Sequence, residues 1–419
     1  MSPAPADLVG LRWVRLSFVD VFGATHSLQL PAARFDDAVS RGEPFDGSAL
    51  EGRARLLESD MLLQPDPATL QRVTDEVGRA ACNVLTPDGQ PWPGDPRTAL
   101  VTIIEDLGEL AEGYEAAAEL ELYVLDADGR PVDRGGYFDD AEGPGIRVVR
   151  DTAKRLATHG IEALSCHHEA GPGQYEIDLP PLGPLAAADA IVLTKQTLRD
   201  VASGLGLRVT FMPRPVEGEP GSGLHLHQEV DGQLVGPDGK LTDVGRHFCA
   251  GQLASARGLS ALAAPTVNSY KRLHAGPEAP GAAVWAHNNR AALLRVRGVL
   301  GGMGGAVEYR GSDPSANPYL LLGGLLATAA HGLEGELELP PPVEESASNF
   351  DPAEGDSVRF DPLPRNLDEA LDALLSDDVL VDAFDTQLLS RLVGGRRAEA
   401  EAYRSHVTTW ELRRYLDEA

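Results

Sequence analysis

The sequence predicts an α+β protein of two domains, one small and one large. A chain of 419 residues is too long for one compact core. Short runs with the two-residue alternation of strands are interspersed with helix-length amphipathic runs. A stretch dense in Pro, Gly and Asp, LTPDGQPWPGDPR at residues 85–97, separates a strand-rich beginning from a longer mixed region. The division is therefore placed between residues 92 and 93, giving domains of 1–92 and 93–419.

In the first domain, strands are predicted over 11–19 and 25–30 and a helical patch over 32–41. Beyond the connection, helices are predicted over 97–112, 145–159, 184–204, 243–262 and 318–332, and the tail from 367 to 419 is helical in pattern. Residues 339–364, acidic and rich in Pro, read as a long surface loop. The most apolar run, 319–330, falls short of the roughly 20 residues a membrane helix needs and contains a Gly pair, so it reads as a buried helix.

Sixty-four acidic against 36 basic residues give a formal charge of -28, which argues against nucleic acid or an anionic membrane as partner. Cys82, Cys166 and Cys249 are few and far apart, as free thiols in a reducing cytoplasm would be. The N-terminus shows no basic region followed by an apolar run, so no signal peptide is expected and a cytoplasmic location is.

Four strand-like segments carry acid and imidazole. In Ala118-Glu-Leu-Glu-Leu-Tyr-Val-Leu125, Glu119 and Glu121 share one face while Leu120, Leu122 and Val124 take the other. Paired carboxylates facing an interior need a cation. His167-His-Glu-Ala-Gly-Pro-Gly-Gln-Tyr-Glu reads as a hairpin with Glu169 before its turn and Glu176 after it. In Gly221-Ser-Gly-Leu-His-Leu-His, His225 and His227 share a face, and the small residues let another group approach closely. In Val307-Glu-Tyr-Arg310, Glu308 and Arg310 share a face; alone, that pattern equally describes a surface ion pair. Oxygen-rich sites with occasional imidazole suit Mg²⁺ or Mn²⁺ better than zinc. No phosphate-binding P-loop is present, so any ATP would have to be held by metals and by scattered basic residues such as Lys271, Arg272, Arg290, Arg295 and Arg310.

The ordered set of these blocks resembles glutamine synthetase of the bacterial long-subunit type, and its relatives that ligate other amines to glutamate. Phe45-Asp-Gly-Ser48, the Glu-Leu-Glu strand, His-His-Glu with Gln-Tyr-Glu, Gly-Ser-Gly-Leu-His, Lys271-Arg-Leu, Glu278-Ala-Pro, Asn289-Arg, Glu308-Tyr-Arg and Asn317-Pro-Tyr-Leu follow in family order. The resemblance implies a small β-grasp-like N-terminal domain and a large catalytic domain built on an antiparallel sheet. It implies active sites shared between subunits of a ring-shaped homo-oligomer, commonly a dodecamer. It also implies two metal ions per site and ATP as co-substrate, with small-molecule acid and amine substrates.

Carried over by position, Glu121, Glu169 and Glu176 would hold one divalent ion, and Glu119, His225 and Glu308 the second. Arg272 and Arg310, with the Gly221 backbone, would grip glutamate. Arg290 and Arg295 would steady the transferring phosphoryl group, and His227 would lie along the nucleotide. Glu278 would shield the acyl phosphate from water, and Asp46 from a neighbouring subunit, with Tyr137, would hold ammonium and take its proton.

The chain departs from the family pattern at several points. Pro220 stands where Asn usually opens the glycine-rich turn, Ala49 where a Ser follows Asp-Gly-Ser, and Glu229 where a Ser lies beyond the histidines. Met303-Gly-Gly-Ala306 replaces a basic cluster, and residues 348–360 hold no clear counterpart of the adenylylation tyrosine loop. Three readings stay open: glutamate–ammonia ligation, a specialised γ-glutamyl amine or other acid–amine ligase, and a catalytically silent homologue with a binding role.

Overall fold

The structure, a computed structural model, describes residues 8–48, 60–140, 142–274, 279–298, 304–344 and 361–417. Two sheets organise them. The first contains β1 (Trp13–Val19), β2 (Thr25–Pro31), β3 (Glu43–Phe45), β4 (Met61–Pro65), β5 (Gln71–Arg72) and β6 (Val77–Leu85), in the order β2-β1-β6-β4-β3 with β5 also on β6. Its central pair, β1 and β6, is parallel. The β1–β2 hairpin is closed by Asp20, whose Oδ1 accepts from the backbone N–H groups of Phe22 and Ala24 at 3.0 and 2.9 Å. Helix α1 (Phe35–Arg41) buries Phe35 and Ala38 in one cluster with Val14, Leu16, Leu63 and Val84.

Residues 85–97 are no slack connection. Leu85 bridges to Pro91, and the Trp92 N–H donates to the Val84 carbonyl at 3.0 Å, so the chain folds back on β6. Asp95 then caps α2 (Pro96–Leu107) by accepting from the Thr98 N–H. The single helix expected over 97–112 is two, because Gly108 adopts φ 50° and ends α2 before α3 (Glu109–Gly113).

The second sheet comprises β7 (Tyr114–Leu125), β8 (Ser165–His168), β9 (Gln174–Asp178), β10 (Arg208–Thr210), β11 (Leu224–Val230), β12 (Trp285–Ala286), β13 (Leu294–Arg297) and β14 (Ala306–Tyr309). Their order is β12-β13-β14-β11-β7-β9-β8, with β10 also on β7. Every pair is antiparallel except the short β12–β13 pair. On β7, Leu120, Leu122 and Val124 are fully buried. They join one core with α4 (Pro144–Ala157) and α5 (Pro184–Gly204), which leaves the opposite face of the strand to its acids.

The helices expected over 145–159, 184–204 and 318–332 correspond to α4, α5 and α9 (Pro318–Glu334). The one expected over 243–262 divides at Ser255 into α6 (Asp243–Ala254) and α7 (Ala256–Ala263); α8 (Ser269–Leu273) follows. The apolar run 319–330 lies in α9, buried against α2, α6 and α7. Among the described residues no helix is long and apolar enough to cross a membrane. The tail forms α10 (Leu367–Leu375), α11 (Asp378–Ala383), α12 (Thr386–Ser405) and α13 (Thr409–Tyr415). The described start of the 339–364 run lies against β12: the Val343 N–H donates to the Trp285 carbonyl at 2.8 Å, and Trp285 Nε1 to the Pro340 carbonyl.

Helices α6 and α9 cross backbone to backbone. A Cβ on Gly251 would lie 2.1 Å from the Thr328 carbonyl oxygen, and one on Gly332 2.3 Å from that of His247. Backbone cannot retreat as a side-chain tip can. Gly251→Val is therefore expected to lower stability by about 1–3 kcal/mol or more, read as a reduced urea midpoint. Gly204→Ala, whose added Cβ meets nothing within 4 Å, is the control and should stay within about 1 kcal/mol of the parent.

Candidate active site on the open face of the large sheet

Strand register assembles the site. Glu119 on β7 stands opposite His225 on β11 and Asp178 on β9, and Glu121 stands opposite Glu176. On β14, Glu308 faces both His227 and Arg295. His227 Nε2 lies 2.6 Å from Glu119 Oε1, and His225 Nδ1 lies 3.0 Å from Glu119 Oε2 and 3.7 Å from Glu308 Oε1. Glu308 also pairs with Arg295 Nη1 at 2.8 Å and with Arg310. On the hairpin, His167 reaches Glu176 with Nε2 at 3.3 Å and Glu169 with Nδ1 at 3.6 Å. Gln174 Nε2 donates to Glu121 Oε2 and to the Gly221 carbonyl at 3.0 and 3.1 Å.

The charges divide into satisfied and frustrated groups. Burial works against the charge on Glu119, but hydrogen bonds from His225 and His227 outweigh it and hold that carboxyl far below the usual range. For His227, burial opposes the charge and contact with Glu119 wins, raising its pKa. Burial likewise opposes the Glu308 charge, and Arg310 with the two imidazoles prevails. Glu176 is the reverse case: burial, then Glu121, Glu119, Asp178 and Glu169, all push its pKa up.

Crowded carboxylates of this kind call for a multivalent cation. Ligand atoms of Glu119, His227 and Glu308, of His167, Glu169 and Glu176, and of Glu119, Glu176 and Asp178 lie within 4.8 Å of one another in each group. Asp178 Oδ1 is buried with no hydrogen-bond partner. The donor set, carboxylates with an imidazole and no thiolate, fits Mg²⁺ or Mn²⁺.

Beside this cluster lies an arrangement suited to an anion. Arg272 is buried, with Nη2 3.3 Å from His225 Nε2 and 3.2 Å from the Arg310 carbonyl, while its Nη1 and the Ser222 Oγ are buried without hydrogen-bond partners. The small residue at 223 is required here. A Cβ on Gly223 would come within 2.6 Å of His225 Nε2 and 2.8 Å of Arg272 Nη2.

Glu119, Glu121, Glu169, Glu176, His225, His227, Arg272, Arg295, Glu308 and Arg310 thus gather on one face, with Gly221 at its edge. Tyr137 is half-exposed at the margin, its ring edge-on to His167 at 5.9 Å. Arg290 is exposed, and its carbonyl accepts from Arg310 Nε at 2.8 Å. Asp46 sits on the small domain just past β3, exposed, and accepts from the Ser48 N–H; it makes none of the cluster's contacts. Glu278, Ala49, Met303 and residues 348–360 lie outside the described residues.

Two of the positions that depart from the family pattern make local contacts. The Pro220 carbonyl accepts from Tyr123 Oη at 2.8 Å, tying the turn to β7. Glu229 spends Oε1 on the Val230 and Leu234 N–H groups, so it caps its own turn.

Sequence reasoning passed over His167, Gln174 and Asp178, although Gln174, Glu176 and Asp178 alternate on β9 just as Glu119 and Glu121 do on β7. It also passed over Asp133, which accepts from the Gly173 N–H, His168 Nε2 and Tyr175 Oη at 2.7, 2.9 and 2.6 Å and so pins the hairpin.

The family model for the glutamine synthetase catalytic domain matches residues 93–415, and that for the glutamine synthetase beta-grasp domain matches residues 10–87. The chain belongs to the glutamine synthetase family. Glutamine synthetase of Thermus thermophilus is 37% identical, covering 97% of this chain and 96% of its own. That of Methanocaldococcus jannaschii is 34% identical over 97% and 95%, and that of Mycobacterium tuberculosis 36% over 97% and 96%. Solved structures titled "Apo GmaS without ligand" and "GmaS/ADP complex-Conformation 1" match with TM-scores of 0.86 and 0.85 at 29% and 28% identity, each over 97% of both chains. The β-grasp domain and the large sheet with its helices are the glutamine synthetase fold. As a glutamine synthetase family member the chain is an ATP-dependent carbon–nitrogen ligase, of a family that uses divalent metals.

Proposed function

We propose that this ligase joins the side-chain carboxylate of glutamate to ammonia through a γ-glutamyl phosphate. The observation that carries this reading is the buried pair of unsatisfied donors, Arg272 Nη1 and Ser222 Oγ, set beside the carboxylate cluster. A buried guanidinium whose Nη1 arm lacks an acceptor, beside a free hydroxyl, suits a substrate carboxylate.

In this reading Glu121, Glu169 and Glu176 hold one Mg²⁺ or Mn²⁺ and Glu119, His225 and Glu308 the other. His227 reaches the same Glu119 carboxylate on the side where the nucleotide lies. When bound, the two ions neutralise charge on the phosphoryl oxygens. Arg272 and Arg310 orient glutamate, Arg290 and Arg295 steady the transferring phosphoryl group, and Glu278 screens the acyl phosphate from water. Tyr137, with Asp46 of a neighbouring subunit in a ring-shaped homo-oligomer, holds ammonium; Asp46 takes its proton so that neutral amine attacks and phosphate leaves.

A second reading, ligation of a small alkylamine to glutamate, is favoured by the margin of the site. Tyr137 and Phe138 expose 50% and 62% of their surface, with ring centroids 4.2 Å apart, and lie 5.9 and 4.7 Å from the His167 ring, an apolar corner open to an alkyl group.

Phosphate release from ATP with Mg²⁺ or Mn²⁺ separates the two. Saturable turnover with glutamate and ammonia is expected. Turnover with glutamate and methylamine or ethylamine but not ammonia would replace the first reading by the second, and no release with any of these would sink both.

A further inference from the structure

On the helical side of the large sheet, a cavity of about 380 Å³ lies between the two domains. The small domain supplies Arg72, Asp75 and Arg79 from β5, β6 and the turn between them, and the large domain supplies Arg155 and His159 from the end of α4 and Asp200 from α5. It shares no residue with the catalytic face.

Its charge is anomalous for a chain with a formal charge of -28. Arg79 is 7% exposed, and its guanidinium makes no hydrogen bond or ion pair among the described residues. The acids nearest it are engaged elsewhere: Asp189 with Arg97 and Tyr319, and Asp200 with Arg15 at 3.8 Å. Asp75 is exposed at the rim. The His159 imidazole also lacks a hydrogen bond among the described residues, and burial with the Arg79 charge pushes its pKa down. Arg72 anchors the small-domain side by donating to the carbonyls of Asp75 and Val9. Arg155 is exposed at the mouth.

A buried guanidinium with no acceptor is unfavourable, and a bidentate anion is its natural partner. The volume is at the small end of metabolite sites. We propose that this cavity binds a small metabolite dianion, a phosphate monoester or a dicarboxylate, held by Arg79, Arg155 and His159 where the two domains meet. The ligand would contact both domains at once, so its binding would raise the unfolding midpoint by mass action. The inference does not depend on which amine the ligase uses.

Calorimetric titration of the full chain with inorganic phosphate and, separately, succinate tests it, alongside the variants Arg79→Gln, Arg155→Glu and Arg272→Ala. Saturable binding of at least one probe is expected, weakened about tenfold or more by Arg155→Glu and retained in Arg272→Ala. Arg155 is exposed, so its variant remains informative even if Arg79→Gln folds poorly. Preference between the probes tells phosphate esters from dicarboxylates. Unchanged affinity in Arg155→Glu, binding abolished only by Arg272→Ala, or no saturable binding of either probe at millimolar concentration would overturn the proposal.

Discussion

Glu176→Gln is expected to lower kcat by about 10²–10³-fold while leaving the metal-free protein as stable as the parent, or more so. The two halves of that expectation have one cause. Glu176 sits among Glu121, Glu119, Asp178 and Glu169, and both burial and their charge disfavour its own. Burial and that repulsion already favour the neutral carboxyl in the metal-free fold, where Gln is its near-isostere, while on the proposed assignment the substitution removes a ligand from the loaded one. Glu308→Gln should behave differently, because Arg295, Arg310 and His225 all lean on the Glu308 carboxylate. There, turnover and stability should fall together. Phosphate release and urea unfolding in chelator would check both. A Glu176→Gln enzyme turning over within about threefold of the parent, a difference under about 1 kcal/mol, would remove Glu176 from the metal site.

How much of this was legible in sequence depends on how local each signal is. The two faces of β7 follow from a period of two, so Glu119 and Glu121 could be separated from Leu120, Leu122 and Val124 before any fold was known. The hairpin carrying Glu169 and Glu176 was readable from Ala-Gly-Pro-Gly between two β-like runs. That four strands converge on one face was not in the residues taken singly; it rested on the ordered resemblance to the family. Asp133 escaped because it lies in a loop and becomes a partner of His168 and Tyr175 only through tertiary packing. Arg79 escaped for a related reason: nothing in β6 distinguishes a paired arginine from one turned into a cavity. Helix breaks divide the same way. Gly108 is a local signal that an amphipathic count overrode, whereas Ser255 carries no strong breaker.

Arg97→Leu is expected to destabilise the protein by about 3–5 kcal/mol. Its side chain is 4% exposed and joins the two domains: Nε and Nη2 grip Asp189 on α5 at 3.1 and 2.8 Å, Nη2 reaches Asp66 at 2.8 Å, and Nη1 reaches Asn83 on β6 at 2.7 Å. Tyr319 on α9 closes the group by donating to Asp189 at 2.6 Å. With the guanidinium gone, Asp189 is left charged and largely buried, and its link to the small domain is lost. The sign of the effect thus comes from the stranded carboxylate more than from the lost pair. A second substitution makes that separable. Asp189→Leu added to Arg97→Leu should restore part of the urea midpoint, because two apolar groups replace an uncompensated charge. If the double variant is no more stable than Arg97→Leu alone, desolvation of Asp189 is not what Arg97 relieves, and the domains are held by apolar contact instead.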